Sequence, residues 1–361
     1  MNLLFDARYT RTDYHDGISR YSAELGNALL NLPQAKNGEL TIRFLICDDR
    51  QKQWFPKNAN FIKIHAPTSP KEPFTALILN KYKPDIVYSP MQTIGTFGRK
   101  YKSVLTLHDM IYYRHNTPPQ SMPAFIRAGW WLYHQSYLPQ RLILKGADLV
   151  TTVSQTSAKD IENAKMTQHT PLVVYNAPQK FKTTPVLASR QVRNIIYMGS
   201  FMPYKNVETL IKGMEHLPGR TLHLLSRISN ARRFELQPLI PDDAIVMFHN
   251  GVTDSEYEKL LADNAVLATA SLDEGYGIPV AEAMAMGVPV VASNIPIFYE
   301  VGGDGVSYFE ARNPKAFAEA VKKLDNKKLR DDQIARGHAH IATFSWNGSA
   351  EVLYAALKTL L

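Results

Sequence analysis

The stretch that decides the fold is residues 273–294, DEGYGIPVAEAMAMGVPVVASN. A glycine-rich turn leads into a segment that opens with Pro279, and an apolar run rich in valine follows. Glycine permits backbone conformations closed to other residues, and proline is favoured in the first turn of a helix. The pattern predicts a loop, a helix and a strand, with the unpaired N–H groups of Val280 and Ala281 at the helix start. Such a helix start binds anions, phosphate in particular.

Two carboxylates bracket this turn, Glu274 on the loop and Glu282 one turn into the helix. We expect Glu274 to reach a group on one side of the bound phosphate. Glu282 is expected to accept hydrogen bonds from hydroxyl groups on the other side of that phosphate. One carboxylate for a sugar, a helix start for a diphosphate and one carboxylate for a ribose together predict a nucleotide-sugar site. The alternative interpretation is a strand–loop–helix unit whose alanines and methionines are simply core.

This stretch resembles the E-x7-E signature of the retaining glycosyltransferases of family 4, which have the GT-B fold. The resemblance implies an α/β protein with two Rossmann-like domains whose parallel sheets face a central cleft. Tyr276 stands where the family has phenylalanine. The other matching residues are Glu274, Gly275, Gly277, Ile278, Pro279, Glu282, Ala283, Met284, Ala285, Gly287, Pro289, Val290, Val291, Ala292 and Ser293.

The resemblance also implies roles for the residues of this turn. Glu274 is expected to act in catalysis by holding the sugar, and Glu282 to bind the ribose. The remaining donor-binding residues implied here are Tyr276, Gly277, Ile278 and Val280.

A second part of the site is expected in residues 198–206, MGSFMPYKN, where the family has an Arg and a Lys that hold the diphosphate. Lys205 matches the Lys and is expected to act in catalysis; a solvated surface lysine is the alternative. Ser200 stands at the Arg position and is kept as a substrate-binding candidate. The missing positive charge could come from one of three arginines further on, Arg227, Arg232 or Arg233.

The first half of the chain contributes fewer matches. His108 stands at the carboxyl end of the predicted strand Ser103–Leu107, within LTLHDM, and the resemblance places a catalytic histidine there, near the sugar and its phosphate. Gly17 is the remaining glycine of a loop that in the family lies against the diphosphate, because Asp16 replaces its partner. Weaker candidates are Arg20, Asp109, Ser154 and Asn176.

Short apolar runs alternate with helical patterns along the chain, which is typical of βαβ units and parallel sheets. Residues 125–144 read as one long helical stretch. Residues 179–193 gain Lys, Thr and Pro and are interpreted as a linker. We expect an acceptor-side domain over residues 1–178 and a nucleotide-sugar-binding domain over 179–344, with residues 345–361 packing back on the first domain and Trp346 as an anchor.

Composition indicates a soluble globular chain: 361 residues, 45% hydrophobic and 20% charged. The single Cys47 cannot form an internal disulfide, which favours a reducing compartment. The first residues do not have the pattern of a signal peptide, and no apolar run approaches the ~20 residues needed to span a bilayer. We therefore expect a cytoplasmic protein.

The net charge of +8 lies in the first half of the chain. Residues 1–178 hold 21 Lys and Arg against 13 Asp and Glu, a surplus of 8, whereas residues 179–361 hold 20 of each. A basic half favours an anionic partner, such as a membrane surface, nucleic acid or an acidic acceptor; a merely solvated surface is the alternative. We expect no nucleic-acid partner. Residues 123–145 mix aromatic residues, among them Phe125, Trp130 and Trp131, with cations, which suits a membrane interface, an acceptor groove or ordinary core.

Other chemistry is not indicated. There is no D-x-D motif, no His/Cys cluster and no P-loop motif, so neither a metal nor a cofactor is expected. The resemblance favours a retaining transfer of a hexose, with mannose from GDP-mannose first, to a hydroxyl of a saccharide or lipid-linked saccharide. The alternatives are a UDP-sugar-dependent transferase, a hydrolase that uses Glu274 and Glu282, and a non-catalytic nucleotide-sugar-binding subunit.

Overall fold

The structure, a computed structural model, describes residues 1–13, 16–118, 124–179, 181–185 and 191–361. Its contacts divide the chain into two compact units. The first comprises Met1–Asn176 with Phe344–Leu361, and the second comprises Ala177–Thr343. The boundary expected from the linker composition, after residue 178, lies two residues beyond the boundary in the structure, which follows Asn176. Within the expected linker, residues 180 and 186–190 lie outside the described residues.

The first unit is built on a seven-stranded sheet in the order β3-β2-β1-β4-β5-β6-β7, in which all pairs of neighbours are parallel. Its strands are β1 Asn2–Asp6, β2 Thr41–Ile46, β3 Asn60–Lys63, β4 Ile86–Ser89, β5 Lys102–Thr106, β6 Leu149–Thr152 and β7 Leu172–Val173. Its helices along this part of the chain are α1 Gly17–Asn31, α2 Pro33–Lys36, α3 Thr75–Leu79, α4 Ile111–Arg114, α5 Ala124–Tyr133, α6 Leu138–Leu144 and α7 Gln155–Asn163.

The second unit contains a six-stranded parallel sheet in the order β10-β9-β8-β11-β12-β13. Its strands are β8 Asn194–Tyr197, β9 Thr221–Leu224, β10 Ile245–Phe248, β11 Ala265–Thr269, β12 Val290–Ser293 and β13 Ser307–Phe309. Its helices are α8 Val207–Gly213, α9 Asn230–Leu236, α10 Asp254–Ala262, α11 Ile278–Met286, α12 Pro296–Gly302, α13 Pro314–Lys323 and α14 Lys327–Ile341.

Each sheet begins with the same strand order, third-second-first-fourth-fifth-sixth, which is that of a doubly wound Rossmann fold. The strand order reverses between β1 and β4 in the first unit and between β8 and β11 in the second. The predicted α/β class with two Rossmann-like parallel sheets is confirmed. In such sheets, ligands bind beyond the carboxyl ends of the strands at the reversal point.

Helices cover the sheet of the second unit closely. All five residues of β11 are buried, as expected for a parallel strand between two helical layers. Helix α8 packs on α13, where a Cβ atom at Gly213 would lie 2.4 Å from the ring of Phe317. Only glycine permits this approach, so the core around Phe317 depends on it.

The C-terminal helix α15, Trp346–Lys358, packs on α1 within the first unit. Ser345 caps it, because its hydroxyl accepts a hydrogen bond from the N–H of Gly348 at 3.0 Å. The ring of Trp346 meets that of Tyr21 edge to face, with 5.9 Å between ring centroids.

The prediction of one helical stretch over residues 125–144 is wrong. The structure has two helices there, α5 and α6, separated by residues 134–137. Pro139 lies in the first turn of α6, and in a continuous helix its ring would clash with the carbonyl of Gln135. The side chain of Phe125, named in the aromatic stretch, lies outside the described residues, as does Pro123. In the described ranges, none of the helices combines the length and apolar character needed to cross a bilayer.

Candidate active site

An ion pair between Lys205 and Glu274 lies at the centre of the candidate site in the second unit. The two residues are 69 positions apart in sequence and follow the carboxyl ends of the neighbouring strands β8 and β11. The Lys205 ammonium donates a hydrogen bond to Glu274 Oε1, and the two side chains are only 13% and 16% exposed. The fold therefore brings together two of the three predicted catalytic residues.

Backbone contacts hold the loop that carries Lys205. The 3₁₀ turn Pro203–Lys205 ends at Asn206, which adopts a left-handed conformation with φ of +50°. The side-chain amide of Asn206 donates to the carbonyl of Ala270 at 3.0 Å. In return, the N–H of Leu272 donates to the carbonyl of Tyr204 at 2.7 Å. These bonds tie the loop after β8 to the loop after β11, which fixes the position of the ion pair.

The start of α11 differs from the prediction. Gly277, with φ of +92°, precedes the helix, and its carbonyl accepts hydrogen bonds from the N–H groups of Val280 at 3.0 Å and Ala281 at 3.3 Å. The prediction that these two N–H groups are unpaired is therefore wrong, because the first turn closes tightly on Gly277. Pro279 has no N–H, and within the described residues the N–H groups of Gly277 and Ile278 donate to no acceptor. Those two N–H groups, rather than those of Val280 and Ala281, are the candidates for binding an anion.

The turn and Glu274 line a small cavity in the second unit. It lies between β11 and the first turn of α11, and a Cβ atom at Gly277 would come within 2.8 Å of the Phe298 ring. The residues around it include Met198, Thr269, Glu274, Gly277, Val280 and Phe298.

The other predicted donor-binding residues of the second unit differ in their access to solvent. Glu282 on α11 and Tyr276 are each 4% exposed. Ser200 is exposed, and its carbonyl accepts a hydrogen bond from the hydroxyl of Tyr197 at 2.6 Å. The hydroxyl of Ser200 is thus at the surface, whereas the carboxylate of Glu282 lies largely inside this unit.

Of the three candidate arginines, Arg232 already has acidic partners. Its guanidinium forms ion pairs with Glu208 and Glu235 and donates to the carbonyl of Phe201 at 3.0 Å. The guanidinium carbon of Arg233 lies 5.2 Å from the centroid of the Phe248 ring. Arg227 is exposed and follows β9, the neighbour of β8. Position therefore favours Arg227 as the additional cation.

His108 follows β5 in the first unit. Its Nε2 lies 2.8 Å from the carbonyl oxygen of Pro90, and the Tyr21 ring packs edge to face on it with 5.1 Å between centroids. Burial lowers the pKa of His108, although the Pro90 carbonyl and Asp16 favour the charged form. Because a carbonyl only accepts, Nε2 donates to Pro90, and the neutral ring presents Nδ1 as an acceptor.

Three polar residues named in the sequence analysis accept hydrogen bonds from the backbone at the starts of helices. Asp16 precedes α1 and accepts a hydrogen bond from the N–H of Ser19 at 2.8 Å, with Gly17 as the exposed first residue of the helix. The side chain of Ser154 caps α7, and that of Asp109 accepts from the backbone at the start of α4. These caps explain why hydrogen-bonding side chains follow these strands without reference to a ligand.

The two remaining weak candidates lie elsewhere in the first unit. Arg20 is half-buried on α1, and Asn176 is buried beyond β7. In the described part of the chain, no group of three or more His, Cys, Asp or Glu residues is placed to hold a metal ion.

Sequence analysis missed a buried charge network at the end of β1. Arg8 Nε lies 2.8 Å from an oxygen of Asp6, and Arg8 also binds Glu72 at 2.7 Å. Glu72 is in turn 3.0 Å from His65. The signal was the charged pair Asp6 and Arg8 in NLLFDAR, directly after the apolar residues Leu3, Leu4 and Phe5. This network fixes the loop after β1, at the edge where ligands bind in such sheets.

We expect Gly277→Ala to destabilise the second unit more than Gly219→Ala. Both glycines have positive φ, +92° and +75°, but no atom lies within 4 Å of a Cβ at Gly219. The control, Gly219→Ala, should therefore lower the free energy of unfolding by about 1 kcal/mol, from backbone strain alone. Gly277→Ala should lose more, because the Phe298 ring must also move. Urea unfolding measures both variants, and equal losses would contradict the packing described at the start of α11.

His108 should make stability depend on pH. Its pKa in the folded state is lower than the ordinary value of 6.5 that the unfolded chain retains. As the pH falls below that value, the unfolded chain binds the proton first, so the free energy of unfolding decreases; at higher pH the effect vanishes. We expect His108→Gln to weaken the fall in melting temperature on acidification. The exposed His169→Gln is the control, and an equally steep fall in both variants would refute the assignment.

Comparison with known proteins places the second unit in a family. Residues 185–340 match the family described as "Glycosyl transferases group 1". The chain is 26% identical over 224 residues to the O-antigen chain mannosyltransferase RfbU of Salmonella typhimurium, over 59% of this chain and 60% of that protein. It is also 26% identical over 305 residues to the O-antigen chain mannosyltransferase B of Escherichia coli, over 79% of this chain and 77% of that protein. The match thus spans less than two thirds of the first relative.

The fold is also found in solved structures. The sucrose-phosphate synthase of Thermosynechococcus elongatus superimposes with a TM-score of 0.72 and 16% identity, over 99% of this chain and 98% of that chain. At that identity the likeness concerns the fold alone. The family match covers most of the second unit, where the Lys205–Glu274 pair and the start of α11 lie. Most of the second unit thus matches a glycosyltransferase family, and the chain has the GT-B fold that the family 4 resemblance implies.

Proposed function

We propose that this chain transfers a mannosyl group from GDP-mannose to a hydroxyl of a saccharide or lipid-linked saccharide, with retention of the anomeric configuration. The observation that carries the proposal is the Lys205–Glu274 pair beside the free N–H groups that precede α11. Two relatives named O-antigen chain mannosyltransferases support mannose as the sugar. The E-x7-E resemblance supports retention.

The leaving diphosphate determines the roles of the groups around Glu274. Negative charge develops on the diphosphate as the bond to the sugar breaks, and fixed positive groups stabilise that charge. Lys205 supplies a cation, and the N–H groups of Gly277 and Ile278 supply two donors at the positive end of α11. Arg227 would add a second cation from the loop after β9. No metal is needed for this charge balance.

Donor binding must rearrange the resting ion pair. In the structure, Glu274 is the partner of the Lys205 ammonium. When a diphosphate takes that place, the Glu274 carboxylate is released to accept hydrogen bonds from the sugar hydroxyls. The same event therefore fills the phosphate site and prepares the sugar site.

The remaining contacts are proposed from the resemblance. Glu282 would bind the ribose through the small part of it that is exposed. Val280 would line the site without donating its N–H, which bonds within α11. Tyr276 and Ser200 complete the donor contacts, and Gly17 of the first unit would contact the diphosphate.

His108 would act as a hydrogen-bond acceptor. The neutral ring donates from Nε2 to Pro90, so Nδ1 would accept a hydrogen bond from a hydroxyl of the donor sugar. In the family's account, the acceptor attacks from the face of the leaving group and a phosphate oxygen takes its proton. No separate general base is then required. We place the reaction in the cytoplasm, because a lone cysteine favours a reducing compartment, and at the inner face of the membrane if the acceptor is lipid-linked.

Turnover of GDP-mannose tests the function. We expect the purified chain to release GDP from GDP-mannose faster than UDP from UDP-glucose, and mannosylated acceptors to carry the α anomer. Lys205→Ala should reduce kcat by about 10²–10³-fold, since it removes a fixed charge from the leaving group. Lys212→Ala, an exposed lysine on α8, is the matched control and should retain full activity.

Each failure has a separate meaning. Preference for UDP-glucose would refute GDP-mannose as the donor but leave the proposed transferase activity intact. A β-anomeric product would refute retention. Binding of GDP-mannose without any turnover, across a panel of saccharide acceptors, would support a non-catalytic binding subunit instead.

A further inference from the structure

The first unit exposes an apolar surface on α5 and α6. Six of the 18 exposed large hydrophobic side chains in the described ranges fall between residues 126 and 142. We define the outer surface as Trp131, Leu132, Leu138 and Leu142, which are 48% to 67% exposed. Such a concentration of apolar groups in a short segment marks an interaction site rather than scattered surface residues.

The aromatic residues of α5 are divided between the inside and the outer surface. Trp130 packs on His134, with 4.0 Å between centroids, and on Tyr112 of α4 at 5.1 Å. Tyr133 donates a hydrogen bond to Gln140 of α6 at 2.9 Å. These contacts attach α5 to its neighbours. Trp131, which follows Trp130 in sequence, stays exposed.

The exposed residues recur at helical spacing. Ala128, Trp131 and Leu132 are separated by three and four positions, so they share one face of α5. Leu138 and Leu142 are four positions apart and share one face of α6. Each helix therefore presents an apolar stripe to solvent, interrupted by the turn before Pro139.

All Asp, Glu, Lys and Arg residues in the segment that contains α5 and α6 are basic. Between Asp109 and Asp148 the sequence contains no Asp or Glu, but it contains four arginines and lysines. Arg114 pairs with Asp160 at 2.7 Å, and the Arg141 guanidinium lies over the Tyr137 ring. The other two are Arg127 and Lys145, of which Lys145 is exposed. The residues between Asp109 and Asp148 therefore bring no acidic side chain to an anionic surface.

We propose that the outer surface docks on an anionic lipid bilayer, with Trp131 and the leucines in the interfacial region and the basic residues at the headgroups. Tryptophan and leucine on short amphipathic helices with basic flanks are the composition that lies in such an interface. The unbroken absence of acidic residues favours anionic headgroups over a protein partner of mixed charge. The inference rests on the proposed function only in that a lipid-linked acceptor would lie in the same bilayer.

Vesicle cosedimentation of the full chain tests the docking. We expect binding to phosphatidylcholine vesicles that contain about 30% phosphatidylglycerol, and weaker binding to phosphatidylcholine alone or at high salt. Trp131→Ser combined with Leu132→Ser should lower the partition coefficient by about tenfold or more, because two exposed apolar groups no longer enter the interface. Phe234→Ser, a 78% exposed residue of the second unit, is the control and should bind like the wild type.

Two further measurements control for misfolding and for loss of the proposed activity: the melting temperature and the release of GDP from GDP-mannose in solution. Melting temperature should be unchanged in the double variant, and so should GDP release in solution, which separates a failure of docking from a failure of the proposed function. Absence of binding by the wild type, or undiminished binding by the double variant, overturns the proposal. Self-association of the wild type that the double variant loses, without vesicle binding, would assign the surface to a second copy of the chain.

Discussion

The constraint on which the rest of the structure depends is the parallel direction of all strands in each sheet. Parallel strands place every carboxyl end at one edge, so the loops that follow them are neighbours whatever their separation in sequence. Lys205 and Glu274 meet for this reason, because β8 and β11 pair at the point where the strand order reverses. The helices that cover both faces keep the strands apolar and leave the polar chemistry to this edge.

Much of the fold was legible in the sequence, but the contacts within the site were not. The alternation of short apolar runs with helical patterns predicted the two parallel sheets, and Pro139 carried the signal for the break that the helix prediction ignored. The resting Lys205–Glu274 pair could not be predicted, because local patterns do not say which strands are neighbours. The N–H groups of Val280 and Ala281 were misassigned, since the tightness of the first helical turn depends on the φ and ψ of Gly277.

Polar side chains after strands serve two purposes that the sequence does not distinguish. In the first unit, Asp16 and Ser154 hydrogen-bond to helix starts, so their chemistry is accounted for by capping. In the second unit, no side chain caps α11, and Gly277 leaves N–H groups at its start for a ligand. The polar residues at the starts of α1 and α7 are thus explained by capping, whereas the start of α11 stays a candidate binding position. The apolar surface of α5 and α6 is a third case, where aromatic spacing typical of a core supplies both a core face and an exposed face.

The central claim is that a nucleotide diphosphate replaces Glu274 as the partner of Lys205. Calorimetric titration of GDP into the wild type and into Glu274→Gln tests it most directly. If the claim holds, the variant binds GDP several-fold more tightly, because its Lys205 charge has lost the competing carboxylate. GDP-mannose should gain less than GDP, since the variant also loses the carboxylate that binds the sugar. Equal or weaker binding of GDP by the variant would contradict the account.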